Sequence, residues 1–266
     1  MSNIVFRDVS RTFQRDNQDF LALDGINLTV EDKEFVALVG PSGCGKTTCM
    51  RMAAGLEFPT DGKVNVAGAT VTAPGPERAV VFQQFALFPW KTVYENIEFG
   101  LRAKGMGATE RRKIIEHYIK LMNLEGAESA YPNQLSGGMQ QRVAIARAYS
   151  LDPEVLLMDE PFGALDAQTR VVMQEELVRL ARVNPRTVLF ITHAVDEAVY
   201  LADRVVVMTP RPGRIKEILD VKSVREAEHW DDYKKIEDVM DLASFVHLRT
   251  HIWKCLRDDH EAAMVH

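Results

Sequence analysis

Phe35-Val36-Ala37-Leu38-Val39-Gly40-Pro41-Ser42-Gly43-Cys44-Gly45-Lys46-Thr47-Thr48 is an apolar run followed by the pattern G-x-x-x-x-G-K-T. The run predicts a buried strand, and Thr48–Ala54 after it reads as a helix. Strand, glycine-rich turn and helix are the context in which this pattern binds phosphate. Glycines at 40, 43 and 45 let the backbone turn tightly and come close to a ligand. The N–H groups then converge at a helix N-terminus and make a nest for an anion. A lysine at 46 reaches the β- and γ-phosphates of a nucleotide, and a hydroxyl at 47 is placed to ligate magnesium. A glycine-rich turn that merely joins strand to helix is the competing reading, and it does not call for Lys46 and Thr47.

The chain has 266 residues, 46% hydrophobic and 26% charged, the composition of a water-soluble globular protein with a substantial core. Its net charge of −6 offers no broad basic field for a nucleic-acid backbone. No apolar run approaches the roughly 18–20 residues that span a bilayer. Residues 1–8 lack the basic start and apolar segment of a secretory signal. Three cysteines (44, 49, 255), odd in number and without metal-ligand spacing, fit a reducing cytoplasmic compartment.

Around the phosphate loop, residues 3–9 alternate as a strand. Leu21–Leu23 and Ile26–Val30 read as two further strands turning at Asp24-Gly25, with Gln14–Asp19 as a polar hairpin loop. Val80–Phe82, Val155–Asp159, Thr187–Thr192 and Arg204–Met208 are short apolar runs of the kind buried in parallel sheets. Thr92–Leu101, Glu110–Met122, Val143–Ser150 and Ala167–Arg182 read as helices, with Ser136 as a candidate N-cap for the third. Residues 84–150 are read as a helical insertion in the nucleotide-binding core. Residues 221–241, with seven acidic and four basic side chains, read as an acidic linker, a solvated spacer. Phe245, Leu248, Ile252 and Leu256 mark a closing amphipathic helix, so residues 1–220 form one domain and 221–266 an extension.

Other motifs narrow the chemistry. Leu135-Ser136-Gly137-Gly138-Met139-Gln140-Gln141-Arg142 resembles the ABC ATPase signature. With Gln83, Asp159-Glu160, Gly163-Ala164-Leu165-Asp166 and His193, each after a strand or turn, it is similar to the nucleotide-binding subunit of an ABC transporter over residues 4–220. The resemblance implies an α/β fold: a P-loop NTPase (RecA-like) core of mainly parallel sheet, an N-terminal antiparallel β subdomain and an inserted α-helical subdomain. It also implies ATP and Mg²⁺ as ligands. Gly40, Pro41, Ser42, Gly43, Cys44, Gly45, Lys46, Thr47 and Thr48 would cradle the phosphates, and Phe13 would stack on adenine. Thr47, Gln83 and Asp159 would hold magnesium. Glu160 would be the general base, assisted by Gln83, Lys46 and His193, with His193 on the γ-phosphate. Ser136, Gly137, Gly138, Gln140 and Asp166 would complete the site of a second subunit, giving a homodimer with ATP at the interface. Cys44, inside the loop, is expected to be a thiol whose alkylation ATP prevents. Two positions depart from the pattern: Lys33 and Gly163 stand where many relatives have glycine and serine.

Phe85-Ala86-Leu87-Phe88-Pro89-Trp90 is an apolar loop directly after Gln83, and an exposed apolar loop signals a partner. In ABC importers this region receives a helix of the membrane subunit. Contacts with integral-membrane permease subunits are therefore expected near Phe85, Phe88 and Trp90, with a solute-binding protein acting indirectly and no nucleic acid. The wording of 87–90, 196–205 and 210–215, and of the tail from Leu248, resembles the nitrate/sulfonate/taurine branch. That places the chain as a peripheral protein on the cytoplasmic face of the plasma membrane. The cargo stays open among nitrate, taurine, alkanesulfonates and similar solutes. A soluble ABC-type ATPase acting on nucleic acid or ribosomes is the alternative, and a phosphate-loop kinase a third reading that the Ser136 motif opposes.

Overall fold

In the computed structural model, residues 2–15, 18–233 and 235–264 are described. The order is β1 (Ile4–Arg15), β2 (Gln18–Val30), β3 (Phe35–Val39), α1 (Lys46–Ala54), β4 (Asp61–Val66), β5 (Ala69–Thr70), β6 (Arg78–Val81), α2 (Val93–Ala103) and α3 (Ala108–Leu121). It continues with α4 (Gly137–Ser150), β7 (Val155–Asp159), α5 (Ala167–Val183), β8 (Thr187–Ile191), α6 (Val195–Leu201), β9 (Arg204–Met208) and β10 (Ile215–Asp220). The last elements are α7 (Lys222–Ala227), α8 (Ile236–Met240) and α9 (Ala243–Met264).

A six-stranded sheet in the order β10-β9-β3-β8-β7-β6 carries the core. Its five inner and far-edge strands run parallel, and only β10 is antiparallel. The apolar runs are continuous because both faces are covered. Phe35, Ala37, Val39, Leu156, Met158, Val188 and Phe190 face the helices, whereas Val36, Leu38, Val155, Leu157, Leu189 and Ile191 face α1 and the second sheet. That second sheet is antiparallel, in the order β2-β1-β4-β5.

Three expectations change. Asp24-Gly25 does not separate two strands: β2 runs through it, and the disruption is absorbed by register shifts between Val9 and Thr12 of β1. Gln14 and Arg15 pair with Asp19 and Gln18, so the hairpin is longer than its polar composition suggests, and Asp16 and Asn17 lie outside the described residues. Residues 221–241 are not a solvated spacer: Val221, Trp230, Ile236 and Val239 are buried, and the Trp230 ring lies 5.6 Å from Phe245 of α9. Apolar side chains too sparse for a periodic signal are enough to dock short helices on an existing surface. Arg225 ties this segment down by donating to the Tyr200 and Ala202 carbonyls at 3.0 and 2.7 Å.

The departure at Lys33 has a conformational cost. Its φ is 61°, a left-handed turn between β2 and β3 where glycine meets no steric penalty, and its N–H donates to Thr187 Oγ1 at 2.9 Å.

Gln141 of α4 is fully buried, and neither of its amide atoms has a hydrogen-bond partner among the described residues. Leaving a buried polar group unmatched costs about 1–3 kcal/mol. Gln141→Met, similar in length and without the amide, is expected to raise the thermal midpoint by roughly 2–4 °C for each kcal/mol recovered. A differential scan showing a lower midpoint would mean that the amide is satisfied after all.

Candidate nucleotide site

Every strand of the parallel set ends on the same edge of the sheet, and the motif residues sit there. The phosphate loop follows β3, Gln83 follows β6, Asp159-Glu160 closes β7, and His193 follows β8. Register fixes their height: Leu38 lies beside Ile191, and Ile191 beside Asp159. Sequence-distant motifs therefore meet because of strand order.

The loop has the shape that its glycines require. Gly45 takes φ 97°, and a Cβ there would lie 2.4 Å from Leu23 Cδ2. The turn after β9 docks behind it: the Gly213 N–H donates to the Ala22 carbonyl at 2.9 Å, and a Cβ on Gly213 would overlap the Cys44 carbonyl. Lys46 is buried, its ammonium donating to the carbonyls of Gly40 at 2.7 Å and Pro41 at 3.1 Å. Cys44 departs from expectation. It is 1% exposed, its Sγ is 3.7 Å from Lys46 Nζ, and burial pushes its thiol up. A side chain this closed off offers an alkylating reagent no approach, so the Cys44 thiol packs inside the loop.

Thr47 Oγ1 donates to Asp159 Oδ1 at 3.1 Å. Burial raises the Asp159 carboxyl above its usual 3.8, against the lowering effect of Thr47. A hydroxyl and a desolvated carboxylate side by side fit a hard divalent cation such as Mg²⁺, which takes oxygen ligands and relieves the carboxylate's charge. Gln83 is not on that pair. Its amide Nε2 donates to Glu160 Oε2 at 3.3 Å.

Glu160 is the centre of the arrangement. Its φ of 44° is strained for a non-glycine residue, and its N–H is anchored on the Ile191 carbonyl at 2.8 Å. This kink aims the carboxylate away from the buried strand. His193 Nδ1 lies 3.1 Å from Glu160 Oε2, so the histidine and Gln83 converge on one oxygen. The departure at Gly163 leaves room beside them: a Cβ there would be 3.4 Å from Gln83 Nε2.

A groove of about 340 Å³ is lined by Phe13, Phe20, Ser42, Gly43, Gly45, Lys46, Thr47, Thr48, Glu160 and Arg211. Phe13 pairs across the hairpin with Phe20, and the Arg11 guanidinium lies 4.5 Å over the Phe13 ring. Phe20 and Arg211, whose guanidinium stacks 3.7 Å over Phe20, escaped the sequence reading. Only the hairpin register and the 210–214 turn bring them to the loop.

Ser136, Gly137, Gly138, Gln140 and Asp166 do not line this groove. Ser136 and Gly137 are exposed. Ser136 caps α4 by accepting from the Met139 N–H at 3.3 Å, and Asp166 caps α5 by accepting from the Thr169 N–H at 2.9 Å. Gln140 Nε2 bonds the Pro132 and Leu135 carbonyls, which fixes the turn before the cap. This is a second helix N-terminus open to solvent and separate from Lys46.

Residues 23–163 match the ABC transporter family. The chain belongs to that family. An ABC transporter ATP-binding protein of Methanocaldococcus jannaschii is 51% identical over 252 residues, covering 95% of this chain and 90% of that one. A nitrate import ATP-binding protein of Synechocystis is 48% identical over 219 residues, 82% of each chain. An ATP-binding cassette solved as a dimer in a post-hydrolysis state with ADP and Pi superposes with a TM-score of 0.72 at 32% identity, covering 82% of this chain and 98% of that chain. This ABC protein is thus an ATPase of the transporter class, with the P-loop NTPase fold expected from its motifs.

Three further residues support the site, and two of them, Asn96 and Arg147, were missed. Thr192 Oγ1 accepts from the Ala194 N–H at 2.9 Å and donates to the buried Glu197 at 2.6 Å, which clamps both neighbours of His193. Burial pushes the Glu197 carboxyl up. Asn96, fully buried, accepts from the Phe88 N–H and donates to the carbonyls of Phe88, Lys91 and Thr92, so it shapes the apolar loop. Arg147 of α4 donates to the Phe85 and Ala86 carbonyls at 3.1 and 2.8 Å, where both residues have positive φ. Asn96 and Arg147 each sit in a helix, α2 and α4, with no sequence signal of their own.

Proposed function

We propose that this chain is the ATP-hydrolysing subunit of an importer of small anions or organic solutes, working as a two-fold pair on the cytoplasmic face of the membrane. The observation that carries this reading is one connected loop. At one end Gln83 holds the general-base candidate Glu160. At the other end Phe88, Trp90 and Phe99 form an aromatic cluster, with ring centroids 5.8 and 4.5 Å from Phe88, in which Trp90 is 70% exposed. Phe85, also expected in that contact, is half-buried and packs against the core, and its carbonyl accepts from Arg147. Among the described residues no helix is long and apolar enough to cross a membrane, so the apolar cluster would meet a separate membrane subunit. The nitrate import relative supports anion cargo.

Lys46 and the loop N–H groups bind the β- and γ-phosphates of ATP. Thr47 and Asp159 are the residues that would hold magnesium, which when bound supplies positive charge against the phosphate oxygens, while Gln83 is turned to Glu160. The attacking water's oxygen bonds to the γ-phosphorus while the bond to the bridging oxygen of ADP breaks. Glu160 takes the water proton, and Gln83 and His193 hold the carboxylate in place. Ser136, Gly137 and Gly138 of a second copy close over the γ-phosphate and exclude bulk water.

The test is co-purification with the membrane subunits and solute-stimulated hydrolysis in vesicles. Trp90→Glu is expected to lower recovery of the membrane subunits by about tenfold or more. Nitrate, bicarbonate, taurine and an alkanesulfonate are supplied in turn, and one of them is expected to stimulate turnover. Unchanged recovery from Trp90→Glu, or recovery of the chain with ribosomes or DNA, overturns the assignment.

Asp159→Asn tests the cation pair. Because burial raises the folded carboxyl above its unfolded value, the charged form weakens the fold as pH rises past about 3.8, and this penalty is absent at lower pH. The amide carries no such penalty. The variant is therefore expected to unfold at a higher temperature than the unmodified protein at neutral pH, with the gap closing toward acid, and to lose Mg²⁺-dependent hydrolysis. Calorimetry across pH showing a lower midpoint at neutrality would refute the account.

A further inference from the structure

β10 is the antiparallel edge of the main sheet, and Glu217 stands on it beside Val207 of the helix-facing core row. An alternating edge strand would place an apolar side chain there. α9 packs across this edge, with Phe245 and Ile252 buried. His251 and Cys255 are four residues apart on α9, one turn along one face. The three side chains meet. His251 Nε2 lies 3.0 Å from both Glu217 oxygens, Cys255 Sγ lies 3.2 Å from Glu217 Oε2, and Cys255 Sγ lies 3.7 Å from His251 Nε2. None of them takes part in the nucleotide chemistry.

We propose that Glu217, His251 and Cys255 form a binding site for a zinc-class divalent transition metal, which fastens α9 to the edge of the sheet. Metal–ligand distances of about 2.3 Å to sulfur and about 2.0–2.2 Å to nitrogen and oxygen place tetrahedral neighbours about 3.3 Å apart for N and O, and about 3.5 Å apart for S and either partner. The observed 3.0, 3.2 and 3.7 Å already match these edges within a few tenths of an ångström. A cation can enter by small side-chain adjustments with the backbone unmoved. The thiol proton leaves to solvent, and the thiolate and imidazole select zinc or cobalt over magnesium and calcium. Glu217 and His251 are each about 40% exposed, which leaves a path for the ion and a fourth position for water.

The occupied site fastens a helix that also borders the phosphate loop. Thr250, Trp253 and Arg257 of α9 share a cavity of about 610 Å³ with Gly40-Pro41-Ser42 and His193.

The test uses the full chain without a histidine tag, titrated with Zn²⁺ in competition with a chromophoric chelator and with Co²⁺ followed by absorbance. One equivalent per chain is expected, and Co²⁺ should give a thiolate charge-transfer band with the strong visible bands of tetrahedral geometry. Cys255→Ser should abolish the charge-transfer band. His251→Gln and Glu217→Gln should weaken binding by more than the roughly 10–100-fold that outer-shell changes cost. Circular dichroism confirms that each variant is folded, and the two Gln variants keep the proposal testable if Cys255→Ser is not. Zn²⁺ should also slow amide exchange over 247–257. No stoichiometric binding, or binding that persists unchanged in the folded Gln variants, overturns the proposal and leaves the cluster as a hydrogen-bonded latch.

Discussion

Glu160→Gln lowers ATP turnover by about 10²–10⁴-fold, the span that a positioned general base contributes, while ATP still binds. The reason lies in what the substitution removes and what it leaves. The amide keeps the shape of the side chain, the strained φ of 44° and the anchor of the residue-160 N–H on Ile191. It cannot take a proton from water. Lys46 and Thr47 are untouched, so the phosphates are still held. In the two-fold reading, the ATP that cannot be hydrolysed keeps the second copy's Ser136 cap in place. Size-exclusion with Mg-ATP should therefore show a dimer for this variant. A monomer under those conditions would defeat either the base assignment or the shared site. Near-normal turnover would defeat the base assignment alone. His193→Ala should act in the same direction but more weakly, because Gln83 still holds the same Glu160 oxygen at 3.3 Å.

Much of this site was legible in the sequence because the phosphate loop and the strand-end carboxylates are local patterns. Lys46 and Thr47 need only a strand, a turn and a helix, and Asp159-Glu160 need only the end of a buried strand. Register and tertiary approach were not legible. Phe20 reaches the groove only because β1 and β2 stay paired out to Arg15 and Gln18, a ladder hidden by polar side chains at its tip. Arg211 comes from a turn roughly 170 residues beyond the loop it flanks. The mistaken spacer at 221–241 has a different cause. Of its four buried apolar residues, Val221 precedes the first short helix, Trp230 lies in a single turn at 230–232, and Ile236 and Val239 lie in α8, so no single periodicity marks them, although each docks onto a surface made by other elements. Cys44 shows the limit of position as a guide: a residue inside a binding loop can still face away from the ligand side, and only its burial says so.

Lys46→Ala separates binding from chemistry in the opposite sense. The buried ammonium at the start of α1 is held by the Gly40 and Pro41 carbonyls, which position it at the centre of the loop before any phosphate arrives. It sits at the positive end of a helix, where another cation is tolerated only because those carbonyls compensate it. An arriving phosphate exchanges the carbonyl partners for charged oxygens, and the interaction strengthens as charge builds in the transition state. Alanine removes that partner, so turnover should fall by at least about 10²–10³-fold, the cost of losing one preorganised donor. Affinity should fall as well, and a thermal scan reads this directly. For the unmodified protein, ATP at a hundred times its Kd stabilises by about 2.7 kcal/mol, roughly 5–10 °C in a chain of this size. Glu160→Gln should keep that shift and Lys46→Ala should lose most of it. If Lys46→Ala hydrolyses ATP near the normal rate, the nucleotide is not bound where the groove puts it. If it loses turnover but keeps the full thermal shift, the lysine acts on the transition state alone, and the loop N–H groups suffice to hold the phosphates.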